Sequence, residues 1–195
     1  MGHTVFISDG FLVLGGGAWF MEVRLLLLLG FVASAAASDL RERRIPNHLV
    51  LLGIAAAFLW HVFNPHELSW AQALGGMAAG FGVLLPFYLL RGMAAGDVKL
   101  MAMVGAYLGS PAVLWVVLLT FLLGGAWALA WMALRGAWPR VRANLGLMLR
   151  AVGHGQTLQS AGSGIVSAGS IPYGVVIAAG TLLLIVLIKT GVVVA

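Results

Sequence analysis

The residues best suited to chemistry in this 195-residue chain are two aspartates, Asp39 and Asp97. The chain has only 6 acidic residues, and these two differ from the others because each lies where a charged connection meets a long apolar stretch. Two carboxyl groups that meet inside a membrane cannot both ionise easily, so they share a proton. Such a pair could activate water against a peptide bond or relay protons across a bilayer. A lone carboxylate at a helix start is equally well explained by the helix dipole, so Asp97 alone does not decide the function.

Other reactive groups give no coherent site. The chain contains no cysteine, which excludes disulfides, thiolate catalysis and cysteine-bound zinc. His66-Glu67 is not followed by the second histidine of an H-E-x-x-H metal site, and the 5 histidines are scattered. Gly162-Ser163-Gly164 does not form the G-x-S-x-G elbow of a serine hydrolase. We therefore expect neither a metal nor a nucleophilic side chain.

The elements that position the aspartates are predicted to be membrane helices. Hydrophobic residues make up 62% of the chain and charged residues 9%, with a mean hydropathy of +1.04. An ordinary soluble domain carries roughly 25% charged residues. The 27 glycines suit close approach of helix backbones in a bilayer, and the Gly76-xxx-Gly80 spacing predicts one such packing face. The predicted fold class is an all-α polytopic membrane protein.

Six transmembrane helices are predicted from apolar stretches near the length that crosses a bilayer. They cover residues 22–38, 47–63, 71–90, 98–110, 112–134 and 171–189. The fourth would be about 20 Å long at 1.5 Å per residue, shorter than the ~30 Å hydrocarbon core. Its start is therefore expected to lie below the membrane surface, which would place Asp97 in a cleft.

Positive charge predicts the orientation. Nine of the 11 lysines and arginines lie in alternate connections, so these connections are assigned to the cytoplasm. Both termini then face outward, and Asp39 and Asp97 both lie near the cytoplasmic face. The formal charge of +5 is explained by these loops and by anionic lipid, so no nucleic-acid partner is expected.

The predicted domain organisation is an N-terminal extension followed by one membrane domain. Residues 1–20 make a poor span because they contain Asp9 and Gly15-Gly16-Gly17, whereas residues 21–195 hold all six spans. Residues 21–38 also have features of a secretory signal, but the arginines after them favour an uncleaved span. Residues 135–170 are predicted to form an amphipathic cytoplasmic helix followed by a flexible connection rich in Gly and Ser.

Three motifs carry a resemblance to a known family. They are Asp39 followed by Arg44-Ile45-Pro46-Asn47, then Gly96-Asp97-Val98-Lys99-Leu100-Met101, and finally Ile171-Pro172-Tyr173-Gly174. On these motifs the chain, from about Met21 onward, resembles the type IV prepilin peptidases, membrane aspartic proteases of the GxGD class. It departs from the pattern at Ala94, which replaces the first glycine. It is most similar to the short, peptidase-only members that serve tight-adherence (Flp-type) pili, since it has no region with paired cysteines.

The resemblance implies an aspartic endopeptidase of the bacterial inner membrane that removes the basic leader from prepilins or pseudopilins. It implies no cofactor, no metal and no N-methyltransferase activity. The implied partners are the substrate, the lipid bilayer and the pilus assembly machinery. Asp39 and Asp97 are the implied catalytic pair, and the candidate substrate-positioning residues are Ile45, Pro46, Asn47, Gly96, Lys99, Pro172, Tyr173 and Gly174. For Lys99, snorkelling to the membrane interface is the simpler interpretation.

The sequence leaves open which aspartate is the base and which is the acid. It also leaves two alternative functions. Asp97 starts a helix, where the dipole favours the anion, so it is predicted as the base and Asp39 as the acid. Arg43, one turn beyond Asp39, could reverse this order. A proton-coupled transporter could use the same pair, although it predicts an internal duplication that the sequence does not contain. A non-enzymatic assembly subunit is the other alternative.

Overall fold

The computed structural model describes residues 5–8, 11–14, 20–64, 68–90, 92–134, 136 and 172–192. Three short strands come first: β1 (Val5–Ser8), β2 (Phe11–Leu14) and β3 (Phe20–Glu22). They form an antiparallel sheet in the order β1-β2-β3, with Val5 opposite Leu14 and Phe11 opposite Glu22. The described residues then form α1 (Val23–Glu42), α2 (Asn47–Phe63), α3 (Trp70–Leu89), α4 (Ala95–Leu108), α5 (Ser110–Leu134) and α6 (Tyr173–Lys189).

The helical membrane architecture predicted from the sequence is confirmed. α1, α3 and α5 are long and apolar enough to cross a bilayer, while α2 and α6 are apolar helices of 17 residues. The count of six spans and their orientation remain predictions. The sheet of β1–β3 was not predicted. The amphipathic helix and flexible connection predicted over 135–170 fall, apart from Gly136, outside the described residues.

Two helix boundaries differ from the predicted spans in a way that affects both aspartates. α1 continues to Glu42, so Asp39 lies inside its last turn rather than in a connection. α4 begins at Ala95, so Asp97 lies inside its first turn. Each carboxylate is therefore fixed by a helix rather than carried by a loop.

The chain divides into two compact units. One contains residues 1–123 and 172–195, and the other contains residues 124–171. Both aspartates and every candidate positioning residue in the described part of the chain belong to the first unit. The second unit is described only for the last part of α5 and for Gly136.

α4 is the central helix of the first unit. It packs against α1, α2, α3 and α6, and every residue from Leu100 to Tyr107 is buried. Its small and flexible side chains, mainly Ala, Gly, Val and Met, allow this enclosure because they let neighbouring helices approach. The position of Asp97 is therefore determined by the packing around α4.

The closest approach within this core is between α3 and α4. A Cβ atom added to Gly76 would collide with the carbonyl oxygen of Gly105, and one added to Gly105 would collide with that of Gly76. One turn further along α3, a Cβ on Gly80 would lie 2.5 Å from the carbonyl oxygen of Met101. The packing face predicted from the Gly76-xxx-Gly80 spacing is confirmed, and it fixes α4 against α3 by direct backbone contact.

Candidate active site

Asp39 is a buried carboxylate held by a helix that lies far away in the sequence. Its side chain is 7% exposed, and its Oδ2 accepts a hydrogen bond of 2.8 Å from the backbone N–H of Gly174. Gly174 is in the first turn of α6, where backbone N–H groups have no partner within their own helix. The bond satisfies one of these donors and also compensates a carboxylate that burial would otherwise penalise.

Position 174 is occupied by glycine for a steric reason. A Cβ atom at this position would lie 3.0 Å from both the Cβ and the Oδ2 of Asp39. Such contacts are tighter than nine in ten real Cβ contacts, so with any larger residue the carboxylate or α6 would have to move by a few tenths of an ångström. Glycine therefore allows the N-terminus of α6 to rest directly on Asp39.

Asp97 is the second buried carboxylate. It is 4% exposed, and its Oδ2 accepts a hydrogen bond of 3.3 Å from the N–H of Ala94. Ala94 is the N-cap residue of α4 and adopts the extended conformation φ −80°, ψ 151°. Any L-residue adopts this conformation without strain, so the alanine that replaces the first glycine of the GxGD pattern is compatible with the local backbone.

The two carboxylates lie at the same end of the bundle, called here the aspartate end, where α1 ends and α2, α4 and α6 begin. Asp39 contacts Gly174 at the start of α6, and Ile45, in the turn that follows Asp39, packs on Gly96, the residue before Asp97. Among the described residues, no group of three His, Cys, Asp or Glu side chains could hold a metal ion. The arrangement is that of two carboxyl groups with one backbone donor each, which suits proton transfer.

The segment after Asp39 ties the aspartates to α2. Arg43 ends α1 in a left-handed conformation, φ 54°, and its N–H bonds to the carbonyl oxygen of Asp39. The chain turns there, and Ile45 packs against Gly96, where an added Cβ would lie 3.2 Å from the Cβ of Ile45. Pro46 is the N-cap residue of α2, with the φ of −64° that its ring imposes.

Asn47 and Lys99 form a second contact between α2 and α4. The Lys99 ammonium donates a hydrogen bond of 3.0 Å to Oδ1 of Asn47. Lys99 is exposed, as the snorkelling interpretation expects, but it also has a specific partner from the motif that follows Asp39. Sequence reasoning had no signal for this pairing, because 52 residues separate the two side chains.

The third motif lies at the start of α6. Pro172 is its N-cap residue, Tyr173 is partly buried against the core, and Gly174 contacts Asp39. Ile171 lies outside the described residues. The structure thus brings Gly174 to the aspartates, Gly96 to Ile45, and Lys99 to Asn47. Direct contact of any of them with a substrate remains a prediction.

Comparison with known proteins identifies the family. Residues 26–129 match the type IV leader peptidase family, which is more than half of the 195-residue chain and includes both aspartates. The chain belongs to the type IV leader peptidase family. The family resemblance carried by the three motifs is therefore confirmed. The third motif, which includes Gly174, lies outside the matched residues 26–129.

One relative extends this comparison. A prepilin leader peptidase/N-methyltransferase of Dickeya chrysanthemi is 30% identical over 144 residues, which cover 66% of this chain and 51% of the relative. The chain therefore spans about half the length of the curated relative that it matches. No solved structure matches the chain.

Proposed function

We propose that this member of the type IV leader peptidase family is an aspartic endopeptidase. It hydrolyses the bond between the basic leader and the apolar helix of a type IV prepilin or pseudopilin. The observation that carries the proposal is the pair of buried carboxylates, Asp39 and Asp97, which lie at one end of the bundle within the residues matched by the family. A buried pair of like charges is costly and is typical of sites that do chemistry.

The reaction needs only the two carboxyl groups and water. Two neighbouring carboxyls share one proton, so one is ionised and the other is protonated. The ionised group takes a proton from water while the water oxygen bonds to the scissile carbonyl carbon, and the protonated group donates its proton to the carbonyl oxygen. Proton transfer to the peptide nitrogen then lets the C–N bond break, which releases a carboxylic acid and an amine.

We assign Asp39 as the base and Asp97 as the acid. The sequence predicts the reverse assignment, because Asp97 starts its own helix and Asp39 lies at the end of its own helix. Asp39, however, also meets the N-terminus of α6, and its 2.8 Å bond from Gly174 is shorter than the 3.3 Å bond from Ala94 to Asp97. A hydrogen bond to the charged form stabilises the carboxylate, so Asp39 is the better candidate for the ionised partner.

The proposed location is the bacterial inner membrane, with the aspartate end near the cytoplasmic face. The positively charged connections between predicted spans support this orientation. It puts the dyad at the level where a cytoplasmic leader joins an apolar helix. N-methyltransferase activity is not part of the proposal, because the chain lacks the cysteines that the larger family members carry in pairs.

The test is cleavage of a co-expressed Flp-type prepilin, followed as a mobility shift at matched membrane levels of enzyme. Wild type is expected to cleave, and Asp39→Asn and Asp97→Asn are expected to lose cleavage. Glu42→Gln is the matched control, since Glu42 is an exposed carboxylate in the last turn of α1. Full cleavage in either aspartate variant would refute the dyad and favour the transporter or the assembly subunit.

A further inference from the structure

A groove runs along the exposed face of α1, between α1 and the start of α2. Its volume is about 420 Å³. Most of its lining comes from α1, including Leu27, Gly30 and Ser34, and Leu49 lines it from α2. We call this feature the α1–α2 groove. All of these lining residues belong to the first compact unit.

The groove is open because α1 has small residues on the face that lines it. Gly30 and Ser34 are both exposed, and a Cβ atom added to Gly30 would meet nothing within 4 Å. The Ser34 hydroxyl is the one polar side chain among the described lining residues, and it donates a hydrogen bond of 2.7 Å to the carbonyl oxygen of Gly30. An apolar chain can therefore fill the groove without leaving a polar group unpaired.

A cation lies on the same face of α1, at the aspartate end. Arg41 is exposed and follows Ser34 by seven residues, which is close to two turns at about 3.6 residues per turn. The rise from Ser34 to Arg41 is about 10 Å at 1.5 Å per residue. Side chains on a helix lean toward its N-terminus, so the Arg41 side chain is expected to lean back along this face toward the groove.

The connection that begins at Arg41 has an excess of positive charge. Arg43 and Arg44 are also exposed, and Glu42 is the one acidic residue from Leu40 to Asn47. Arg41 and Arg44 form no ion pair with any residue that the structure describes. An anionic group would therefore complement this end of the groove.

We infer that the α1–α2 groove and Arg41 form a binding site for an anionic phospholipid. One acyl chain lies in the groove, and the phosphate accepts hydrogen bonds from the Arg41 guanidinium. Arginine suits this role because its planar guanidinium donates two parallel N–H···O bonds to a phosphate. The binding is independent of the proposed peptidase activity, although the proposed orientation places Arg41 in the leaflet that has the negative surface potential.

A phospholipid matches the order of the two features better than other membrane partners do. It presents an apolar chain in the bilayer and an anion at the surface, as the groove and Arg41 require. The basic leader of the proposed substrate has the wrong charge for Arg41. A second copy of this chain, packed through the same face about an axis normal to the membrane, would bring its own Arg41 to the same level, where like charges repel.

Native mass spectrometry of the purified full chain tests the site. The protein in detergent is mixed with phosphatidylglycerol and phosphatidylcholine that have the same acyl chains, and the ratio of the two bound lipids is measured. Wild type is expected to retain phosphatidylglycerol preferentially. Arg41→Gln is expected to lower this preference about fivefold, the effect of one cation at an anionic lipid surface. Lys189→Gln is the matched control, since Lys189 is an exposed cation at the end of α6.

A second pair of variants tests the groove independently of charge. Gly30→Leu is expected to fill the groove and to remove most of the bound phosphatidylglycerol. The control is Gly82→Leu, because Gly82 is also exposed but lies on α3. At both positions an added Cβ meets nothing within 4 Å, so both variants are expected to fold.

Each part of the inference can be overturned. Equal retention of the two lipids by wild type would refute the site. A preference that falls equally in Arg41→Gln and Lys189→Gln would show general attraction to positive charge in place of a site at Arg41. Equal lipid binding by the Gly30 and Gly82 variants would refute the groove as the position of the acyl chain. A dimer mass for wild type and a monomer mass for Gly30→Leu would assign the groove to a second copy of the chain and overturn the lipid assignment.

Discussion

The two ends of α4 contain polar groups that are arranged in opposite ways. At the aspartate end, two carboxyl groups are buried, and each accepts one hydrogen bond from a backbone N–H. At the other end, Arg24 donates a 3.1 Å hydrogen bond to the carbonyl oxygen of Tyr107 and forms a 2.8 Å ion pair with Glu22. Buried His61 adds a bond of 3.0 Å from Nε2 to the carbonyl oxygen of Ala106.

We interpret this difference as a division of roles, in which the end near Tyr107 stabilises the fold and the aspartate end serves the proposed reaction. The groups near Tyr107 satisfy C-terminal carbonyls of α4, and the cation of Arg24 also complements the negative end of the helix dipole. These hydrogen bonds and the ion pair are favourable to folding. The aspartate end instead buries two carboxyl groups, which opposes folding, and in the proposed function this cost is retained for proton transfer. Substitutions at the two ends should therefore have opposite effects on stability and activity.

The largest expected effect is the loss of proton transfer, and it should be unequal for the two aspartates. Loss of a general acid or base slows a reaction by roughly 10²–10⁴-fold. Asparagine in place of the acid Asp97 still donates a hydrogen bond to the carbonyl oxygen, whereas asparagine in place of Asp39 cannot accept a proton from water. Residual prepilin cleavage by Asp97→Asn should exceed that by Asp39→Asn about tenfold. Residual rates in the reverse order would exchange the two roles.

The next effect concerns the position of Asp39 rather than its charge. Gly174→Ala adds a Cβ atom 3.0 Å from the Oδ2 of Asp39 and is expected to displace the carboxylate. The carboxylate must give by a few tenths of an ångström, so we expect cleavage to fall by up to roughly tenfold at an unchanged membrane level. Gly82→Ala is the control, because an added Cβ there meets nothing within 4 Å. A wild-type rate for Gly174→Ala would remove its positioning role.

The third effect is a contrast in thermal stability. Arg24→Gln removes charged hydrogen bonds near Tyr107, so we expect a loss of about 1–3 kcal/mol and a lower Tm of the detergent-solubilised protein. Its cleavage rate per folded molecule should stay close to wild type. Asp97→Asn replaces the proposed protonated carboxyl group by a neutral amide of similar shape, so it should not lower Tm, although we expect it to abolish efficient cleavage. A large fall in Tm for Asp97→Asn would contradict the division between the two ends.

The smallest expected effect is at the position that departs from the GxGD pattern. Ala94→Gly restores the glycine at a residue whose φ of −80° and ψ of 151° suit either amino acid. Glycine is also somewhat better than alanine at an N-cap, so the stability should change by less than about 1 kcal/mol. Cleavage should remain within about twofold of wild type. A gain of tenfold or more would show that Ala94 limits the geometry of Asp97.

The sequence predicted the elements of this site better than their contacts. Apolar length was enough to find the helices, and charge position was enough to single out Asp39 and Asp97. The bond from Gly174 to Asp39 joins residues 135 apart in the chain, and no local pattern encodes which helix start will meet which helix end. The groove lined by Leu51 of α2, Phe81 of α3 and Lys99 of α4 was missed for a related reason, because it depends on α2 and α3 making few contacts with each other.

The N-terminal sheet was missed although its signal is local. Asp9-Gly10 separates two short apolar runs, a pattern that favours a tight hairpin. The same segment makes a poor membrane span, because it contains Asp9 and three consecutive glycines. In contrast, the pair Gly76 and Gly80 was interpreted correctly, because a small-xxx-small spacing has few uses in a membrane helix other than packing.

The backbone contact between Gly76 and Gly105 has a consequence for motion. With no side chains between them, α3 and α4 can neither slide nor rotate against each other without a backbone collision. We expect these two helices to move as one rigid body. α2 is joined to this body by two hydrogen bonds, one from Lys99 to Asn47 near its start and one between His61 and the carbonyl oxygen of Ala106 near its end. A movement of α2 away from α4 would therefore have to break both bonds.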